Sequence, residues 1–159
     1  MIKRFDFERD FVKYDPEFIG HLNRHIKGSG TVGSTFIGEL QARDIVDYAY
    51  EKIKDKYRGQ QIVLEVEAPF PIGLEGVIML SKVPKHIEIG RVKRDGIHEV
   101  NIVRGIPKRK TRYLVIVAGP LKPEEEGKHG FLSIYPGRSC PPLEDTGFWK
   151  NWAFIDSEA

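Results

Sequence analysis

Residues 129–137, with the sequence HGFLSIYPG, combine the spacing of a strand with side chains that can transfer or donate protons. The alternation along this stretch predicts a half-buried strand whose aliphatic Leu132 and Ile134 face the core. The opposite face would then hold a phenyl ring, a hydroxyl, a phenol and an imidazole, from Phe131, Ser133, Tyr135 and His129. Such a face is either the floor of a site or the solvated side of an antiparallel strand.

A second set of titratable side chains lies near the N-terminus. A helix is predicted over about 15–26, because an Asp-Pro pair is a favoured N-cap and first helical position. His21 and His25 are four residues apart, so they share an edge of this helix, next to Arg24. Histidine is the side chain whose ordinary pKa suits proton transfer near neutral pH. His25 would also suit the helix C-terminus, where a cation is stabilised.

Basic residues are grouped at two places, although the net charge is only +2. One group is Arg91, Lys93 and Arg94, and the other is Lys108, Arg109, Lys110 and Arg112. Groups of this kind either contact phosphates or form solvated turns. The sequence is therefore compatible with a polyanionic partner but does not require one.

Helical periodicity precedes strand periodicity along the chain. A second helix is predicted over about 39–57, where apolar residues recur at helical spacing. Strands are predicted at 61–67, 77–80, 87–93, 97–103, 113–118 and 131–135, with a hairpin turn at Asp95-Gly96. This order indicates an α+β fold, with two N-terminal helices packed on a mostly antiparallel sheet of about five strands. We expect 131–135 to pair beside 113–118.

The length of 159 residues fits a single domain. Within it we expect an N-terminal arm over 1–14, a core over 15–137 and an irregular aromatic tail over 138–159. The lone Cys140 excludes an internal disulfide, and there is no Cys/His cluster for a metal. No apolar run is long enough for a signal peptide or a membrane span, so we expect a cytoplasmic protein that uses no cofactor.

Three motifs occur in order along the chain. Residues 20–26 have the form G-H-x-x-R-H-[VI], Ser34-Thr35-Phe36 precedes an amphipathic helix, and 132–136 has the form L-[ST]-x-Y-P. The order resembles the C-terminal toxin domains of bacterial contact-dependent inhibition proteins that are similar to pancreatic ribonuclease. More loosely, it resembles the barnase–EndoU–colicin–RelE group of RNA-cleaving toxins.

The resemblance implies metal-independent cleavage of RNA, with an inhibitor (immunity or antitoxin) protein as a second partner. It implies that His21 acts as acid or base and that Arg24 contacts the phosphate. Ser133 and Tyr135 would match the Thr-x-Tyr pair of the last strand, with Ser in place of the commoner Thr. No later arginine of the chain matches the family's spacing.

Cleavage of a phosphodiester through the neighbouring 2′-hydroxyl needs a base, an acid and donors for the phosphoryl oxygens. We predict His21 as the base, and the acid stays open between His25 and His129. Further substrate contacts would come from Thr35, His129 and the second basic group, Lys108, Arg109, Lys110 and Arg112. All of this requires His21, Ser133 and Tyr135 to line one open cleft.

Two other functions remain open. The same basic groups would serve a non-catalytic RNA-binding or ribosome-associated module, whose affinity would depend on salt. Alternatively, the chain would be a protein-interaction domain with Trp149 and Trp152 as the contact.

Overall fold

The computed structural model describes residues 5–27, 35–37, 40–121 and 127–156, without the side chains of Arg24, His25, Lys27 and Thr35. The fold is α+β, as predicted, and its strands pair mostly antiparallel. In the described part the helices are α1 (Phe7–Asp10), α2 (Pro16–Lys27), α3 (Ala42–Ile53) and α4 (Thr146–Trp149), with a 3-10 turn at Leu80–Lys82. The strands are β1 (Phe11–Val12), β2 (Thr35–Phe36), β3 (Ile62–Glu67), β4 (Gly73–Leu74), β5 (Val77–Met79), β6 (Ile89–Lys93), β7 (Glu99–Arg104), β8 (Lys110–Thr111), β9 (Tyr113–Pro120), β10 (His129–Pro136) and β11 (Trp152–Asp156).

The described strands form three sheets, and the prediction of one sheet of about five strands is wrong. Sheet A has the order β1-β10-β9-β3, sheet B the order β5-β11-β7-β6, and sheet C the order β2-β4-β8. β5 and β7 pair with β11, and β6 pairs with β7, so these strands form sheet B instead of extending sheet A. Helices are also not confined to the N-terminal part, since α4 precedes the last strand. No helix in the described residues is long and apolar enough to cross a membrane.

The two longer helices pack on one face of sheet A. α2 begins at the predicted position because the Asp15 carboxylate accepts the Phe18 amide at 3.1 Å. α3 ends at Ile53, earlier than predicted, and the Ile53 carbonyl accepts the amides of Lys56 and Tyr57 in the turn that follows. Both helices share one apolar core with the inner side chains of β9 and β10. We call this the helix side of sheet A.

The predicted pairing of 131–135 beside 113–118 is confirmed. β10 runs antiparallel to β9, with Ile134 opposite Ile116 and Tyr135 opposite Val115. β3 pairs with the other edge of β9, and β1 runs parallel to the start of β10. The strand that bears Tyr135 is therefore fixed by a central, buried neighbour.

A β-bulge at Leu132 changes which side chains of β10 share a face. Phe131 lies opposite Ala118, and Ser133 forms the next pair in the register, so Leu132 is the extra residue. Phe131 and Ile134 pack in the core on the helix side, whereas Leu132 is 38% exposed. The prediction that Leu132 shares the core face with Ile134, and that Phe131 lies on the polar face, is therefore wrong.

The C-terminal segment forms a central strand, and the prediction of an irregular tail is wrong. β11 lies between β5 and β7 in sheet B. Trp149 is buried against Val77 and Val100 on one face of this sheet, with Trp152 partly buried beside it. The aromatic residues of 148–154 therefore build a core, and Trp149 is not exposed for the predicted protein contact.

The predicted hairpin at Asp95-Gly96 joins β6 to β7, which pair antiparallel. The Asp95 carboxylate accepts the amides of Ile97 at 2.9 Å and His98 at 2.6 Å, which closes the loop. Gly96 has a φ of +81°, which glycine adopts most easily. The turn places Arg94 directly after β6, at the side of sheet B that bears the aromatic core.

Candidate functional site

His21 and Tyr135 lie in two different clefts, so the prediction of one shared cleft is wrong. The His21 cleft has a volume of about 480 Å³ and is lined by Asp15, Glu17, Phe18, His21, Pro120, Leu121, Phe131 and Leu132. The Tyr135 cleft has a volume of about 250 Å³ and is lined by Glu75, Gly76, Val77, Arg94, Tyr135, Pro136, Gly137, Arg138, Cys140, Pro141, Pro142, Leu143, Trp149 and Phe154. The two clefts have no lining residue in common.

The geometry of sheet A explains the separation. Tyr135 follows Ile134, which packs on the helix side, so the phenol leaves the sheet on the opposite face. Ser133 shares that opposite face by alternation, although it lines neither cleft. His21 belongs to α2, which packs on the helix side, and it lies near the bulged end of β10.

His129 is separated from Tyr135 by the same bulge. Its Nδ1 atom lies 2.6 Å from the Tyr57 hydroxyl, and its ring lies 4.6 Å from that of Phe5. Burial raises the pKa of Tyr57 to about 12, so this hydroxyl stays protonated near neutral pH. His129 therefore belongs to an aromatic cluster on the helix side of sheet A, and it does not line the Tyr135 cleft.

Arg94 lies on an aromatic stack at one wall of the Tyr135 cleft. Its Cζ atom is 4.2 Å from the centroid of the Phe154 ring, and Phe154 stacks on Trp149 at 4.6 Å. Burial lowers the pKa of Arg94 from its ordinary value, but an arginine remains charged in proteins. The guanidinium is thus a fixed positive charge at the cleft.

Arg138 lies on a second aromatic stack. Its Cζ atom is 4.5 Å from the centroid of the Trp152 ring, and Trp152 stacks on Phe148 at 5.2 Å with an interplanar angle of 4°. A guanidinium that lies on a ring keeps its in-plane N–H groups available for a bidentate anion. Among the described residues, neither Arg94 nor Arg138 forms an ion pair or a side-chain hydrogen bond.

The phenol of Tyr135 is held by the segment that follows β10. Its oxygen accepts the Cys140 amide at 3.4 Å, and the Trp149 indole N–H donates to the Pro142 carbonyl at 3.0 Å. Burial is the main cause that raises the pKa of Tyr135, so the phenol stays protonated near neutral pH. Burial also raises the pKa of Cys140 to about 11, which keeps it a thiol and not a nucleophilic thiolate.

Glu75 brings a carboxylate to the same cleft. The Glu75 Cγ lies 3.4 Å from the point where a Cβ on residue 137 would stand. Position 137 therefore favours glycine, both because of this close contact and because its φ is +111°. In the described residues no donor is bonded to the Glu75 carboxylate. A carboxylate with free lone pairs beside two guanidinium groups can accept a proton or orient a hydroxyl.

The second basic group divides between the cleft and the scaffold. Burial lowers the pKa of Lys108, Asp156 opposes this shift, and the charge of nearby Arg94 adds to it. The Arg109 carbonyl accepts the Glu75 amide at 2.8 Å, so this part of the group adjoins the Tyr135 cleft. Arg112 instead donates to the Ala68 carbonyl at 3.1 Å and the Pro69 carbonyl at 3.2 Å, which makes it a scaffold residue. Lys110 is exposed in β8.

Sequence reasoning placed Tyr135 in a site and Arg94 in a basic group, but it missed Glu75 and Arg138. Arg138 directly follows the Tyr-Pro-Gly that ends β10, which is a usable signal, whereas nothing in the sequence distinguishes Glu75. The predicted roles of Arg24, His25 and Thr35 stay predictions, because their side chains lie outside the described residues. Within those residues no group of three or more His, Cys, Asp and Glu side chains is placed to hold a metal.

No protein-family model, no curated protein and no solved structure is significantly similar to this chain.

Proposed function

We propose that this protein cleaves RNA at the Tyr135 cleft, through attack of a ribose 2′-hydroxyl on the adjacent phosphodiester. The observation that supports this most is the meeting of two unpaired guanidinium groups, a carboxylate and a protonated phenol on one cleft. The resemblance of the L-[ST]-x-Y-P motif to toxin ribonucleases supports the same substrate. The described lining of the His21 cleft contains no guanidinium group and no phenol.

In the proposed reaction the guanidinium groups of Arg94 and Arg138 bind the non-bridging oxygens of the scissile phosphate. Charge-assisted, bidentate contacts of this kind become stronger as negative charge develops on those oxygens. Both groups are fixed on aromatic rings before substrate arrives, so little reorganisation is needed.

Glu75 would take the proton from the 2′-hydroxyl, whose oxygen then bonds to phosphorus. The bond from phosphorus to the 5′-oxygen breaks, and Tyr135 would donate its proton to that leaving oxygen. The products are a 2′,3′-cyclic phosphate and a 5′-hydroxyl, and solvent returns the two protein groups to their starting protonation states. These groups are all side chains, so we expect cleavage to continue in EDTA.

The proposal is tested by incubating the wild-type protein with RNA in EDTA and identifying the product ends. We expect 2′,3′-cyclic phosphate ends, and we expect DNA and RNA with one 2′-deoxyribose at the cleavage position to resist cleavage there. Cleavage at the 2′-deoxy position at the normal rate would contradict 2′-hydroxyl attack. RNA that stays intact would contradict cleavage altogether.

A second candidate is RNA binding without cleavage. It is favoured by the absence of a histidine from the described lining of the Tyr135 cleft, so both proton transfers depend on a carboxyl and a phenol. A binder would leave RNA intact and lose affinity steeply as salt rises, since bound cations are released from the phosphates. The same incubation, followed by a salt titration of binding, separates the two.

The toxin resemblance adds two further elements to the proposal. The substrate would be cytoplasmic RNA, and an inhibitor protein would block the cleft. Such an inhibitor is expected to present acidic side chains to Arg94 and Arg138, because both guanidinium groups are unpaired in the described residues. Single charge reversals at these arginines should therefore weaken both RNA cleavage and inhibition.

A further inference from the structure

A third pocket lies on the helix side of sheet A, between α3 and sheet C. We call it the α3 pocket, after the helix that supplies Asp44, Ile45 and Tyr48 to its lining. Its volume is about 360 Å³. This is near the lower end of the range for small-molecule sites, about 300–1,000 Å³. None of its described lining residues belongs to the Tyr135 cleft or the His21 cleft, so a ligand there would be independent of RNA cleavage.

Most of the lining of the α3 pocket comes from the apolar core. Ile45 of α3, Leu114 of β9 and Ile72, which precedes β4, are buried residues that also line the pocket. Walls of this kind favour a ring or a hydrocarbon group and oppose the burial of a polar one. A ligand of the α3 pocket must therefore be small and largely apolar.

Phe70 leaves a large apolar surface at the mouth of the pocket. It belongs to the lining, yet it is 57% exposed. Among the large apolar residues that the structure describes, only Ile97 is more exposed, at 75%. A ligand that filled the pocket would bury part of the Phe70 ring, and this burial would add to the affinity.

Two polar side chains of α3 also line the pocket. Asp44 and Tyr48 are one turn apart, so they are neighbours on one face of the helix. Within the described residues, neither the Asp44 carboxylate nor the Tyr48 hydroxyl has a hydrogen-bond partner, and Asp44 forms no ion pair. The described lining contains no lysine and no arginine. The α3 pocket therefore combines apolar walls with one unpaired negative charge.

Both cations of α3 lie on tyrosine rings instead of on Asp44. The Cζ atom of Arg43 is 5.1 Å from the centroid of the Tyr14 ring. The Nζ atom of Lys52 is 5.2 Å from the centroid of the Tyr48 ring. Lys52 follows Asp44 by two turns, which is about 12 Å along the helix axis. A cationic group of a ligand would therefore have the Asp44 carboxylate as its own partner.

We propose that the α3 pocket binds a small amine whose ring fills the apolar part and whose ammonium group pairs with Asp44. The ammonium group would donate to the carboxylate, and the Tyr48 hydroxyl would be free for a second hydrogen bond. An anionic ligand would be repelled by Asp44, and a neutral ligand would leave the carboxylate without a counter-charge. The charge of the lining thus selects amines among apolar molecules of the same size.

The test is a calorimetric titration of the full chain with three probes that share a naphthyl ring. Naphthylethylamine bears an ammonium group, naphthylethanol a hydroxyl and naphthylpropionate a carboxylate. One amine molecule should bind per chain, about fivefold more tightly than the alcohol, which is the size expected for an ion pair at an exposed carboxylate. Naphthylpropionate should bind more weakly than either, and added salt should reduce these differences.

Asp44→Asn tests the contribution of the charge. The variant should bind the amine and the alcohol equally, and its affinity for the alcohol should be that of the wild type. Asp55→Asn is the matched control, because Asp55 is an exposed aspartate just after α3 and outside the described lining. It should keep the preference for the amine. Both positions are exposed, so neither change should disturb the fold.

Phe70→Ala tests the place at which the probes bind. It removes the ring at the mouth of the pocket, so the affinities for the three probes should all fall by about fivefold. Ile97→Ala removes an exposed apolar side chain outside the described lining, and it should bind the probes as the wild type does.

Four results would overturn the proposal. Naphthylethylamine could fail to bind, or the alcohol or the carboxylate could bind as tightly as the amine. A preference for the amine that persists in Asp44→Asn would show that this carboxylate is not the partner. Unchanged affinities in Phe70→Ala would place the bound probe outside the α3 pocket.

Discussion

The His21 cleft and the Tyr135 cleft both hold titratable side chains, but they differ in charge. The described lining of the His21 cleft has two carboxylates, Asp15 and Glu17, together with an imidazole, and no lysine or arginine. The Tyr135 cleft has two guanidinium groups and one carboxylate, Glu75. A phosphodiester is an anion, so the second cleft attracts it while the carboxylates of the first repel it.

The polar groups of the Tyr135 cleft are fixed by aromatic packing. Arg94 and Arg138 lie on ring stacks. The buried Trp149 indole donates a hydrogen bond to the segment that contacts Tyr135. His21 is exposed on a helix surface. A histidine in a recognisable motif is thus a weaker indication of a site than unpaired cations fixed around a proton donor. We therefore expect substitutions in the Tyr135 cleft to change catalysis far more than those in the His21 cleft.

The largest effect is expected from Glu75. Glu75→Gln keeps the shape of the side chain but removes the base, so the single-turnover rate of RNA cleavage should fall by about a hundred- to ten-thousand-fold. Glu17→Gln is the matched change in the His21 cleft and should leave the rate unchanged. Equal rates for the Glu75→Gln and wild-type proteins would exclude Glu75 as the base.

A smaller effect is expected from the arginines. Arg138→Ala removes a charge-assisted phosphate contact of roughly 1.5–3 kcal/mol, so kcat/KM should fall by about ten- to a hundredfold. RNA affinity should also become less dependent on salt, by about one unit in the logarithmic slope. Arg43→Ala is the control, because Arg43 also lies over a ring, that of Tyr14, but outside the cleft. An unchanged salt slope in Arg138→Ala would exclude the phosphate contact.

The smallest effect concerns Tyr57, which bonds His129 on the helix side. Tyr57→Phe removes the bond to His129 and should lower the free energy of unfolding by about 1 kcal/mol without changing cleavage. Since the folded state raises the pKa of Tyr57 from 10.0 to about 12, the unfolded state loses this proton first. The contribution of Tyr57 to the free energy of unfolding is therefore present below pH 10 and is lost as the pH rises towards 12. Denaturant titrations across this range should show that the free energy of unfolding falls more steeply with pH for the wild type than for Tyr57→Phe. Parallel decreases in the two proteins would contradict this account.

The elements that depend on local sequence were predictable. An Asp-Pro pair starts α2, Asp95 closes the β6–β7 hairpin, and β10 pairs beside β9. The bulge at Leu132 was not predictable from local sequence, because it depends on how β10 as a whole packs on the core. That single extra residue places His129 and Phe131 on the opposite face from Ser133 and Tyr135, so it removes His129 from the predicted site.

The candidate site was predictable only where its residues lie close to a motif. Tyr135 ends a recognisable strand, and Arg94 follows a hairpin strand rich in cations. Glu75 comes from the β4–β5 connection, and it reaches the cleft only because sheet B packs beside β10. Such a meeting depends on the packing of two sheets, about which hydrophobic periodicity carries no information.

The central claim is that RNA is cleaved at the Tyr135 cleft and not at the His21 cleft, and one paired measurement tests it most directly. The single-turnover cleavage rates of Tyr135→Phe and His21→Ala are compared with the wild type on the same RNA in EDTA. Loss of the acidic phenol should reduce the rate by at least about a hundredfold, whereas His21→Ala should cleave at the wild-type rate. A His21→Ala protein that fails to cleave, beside a fully active Tyr135→Phe protein, would contradict the account.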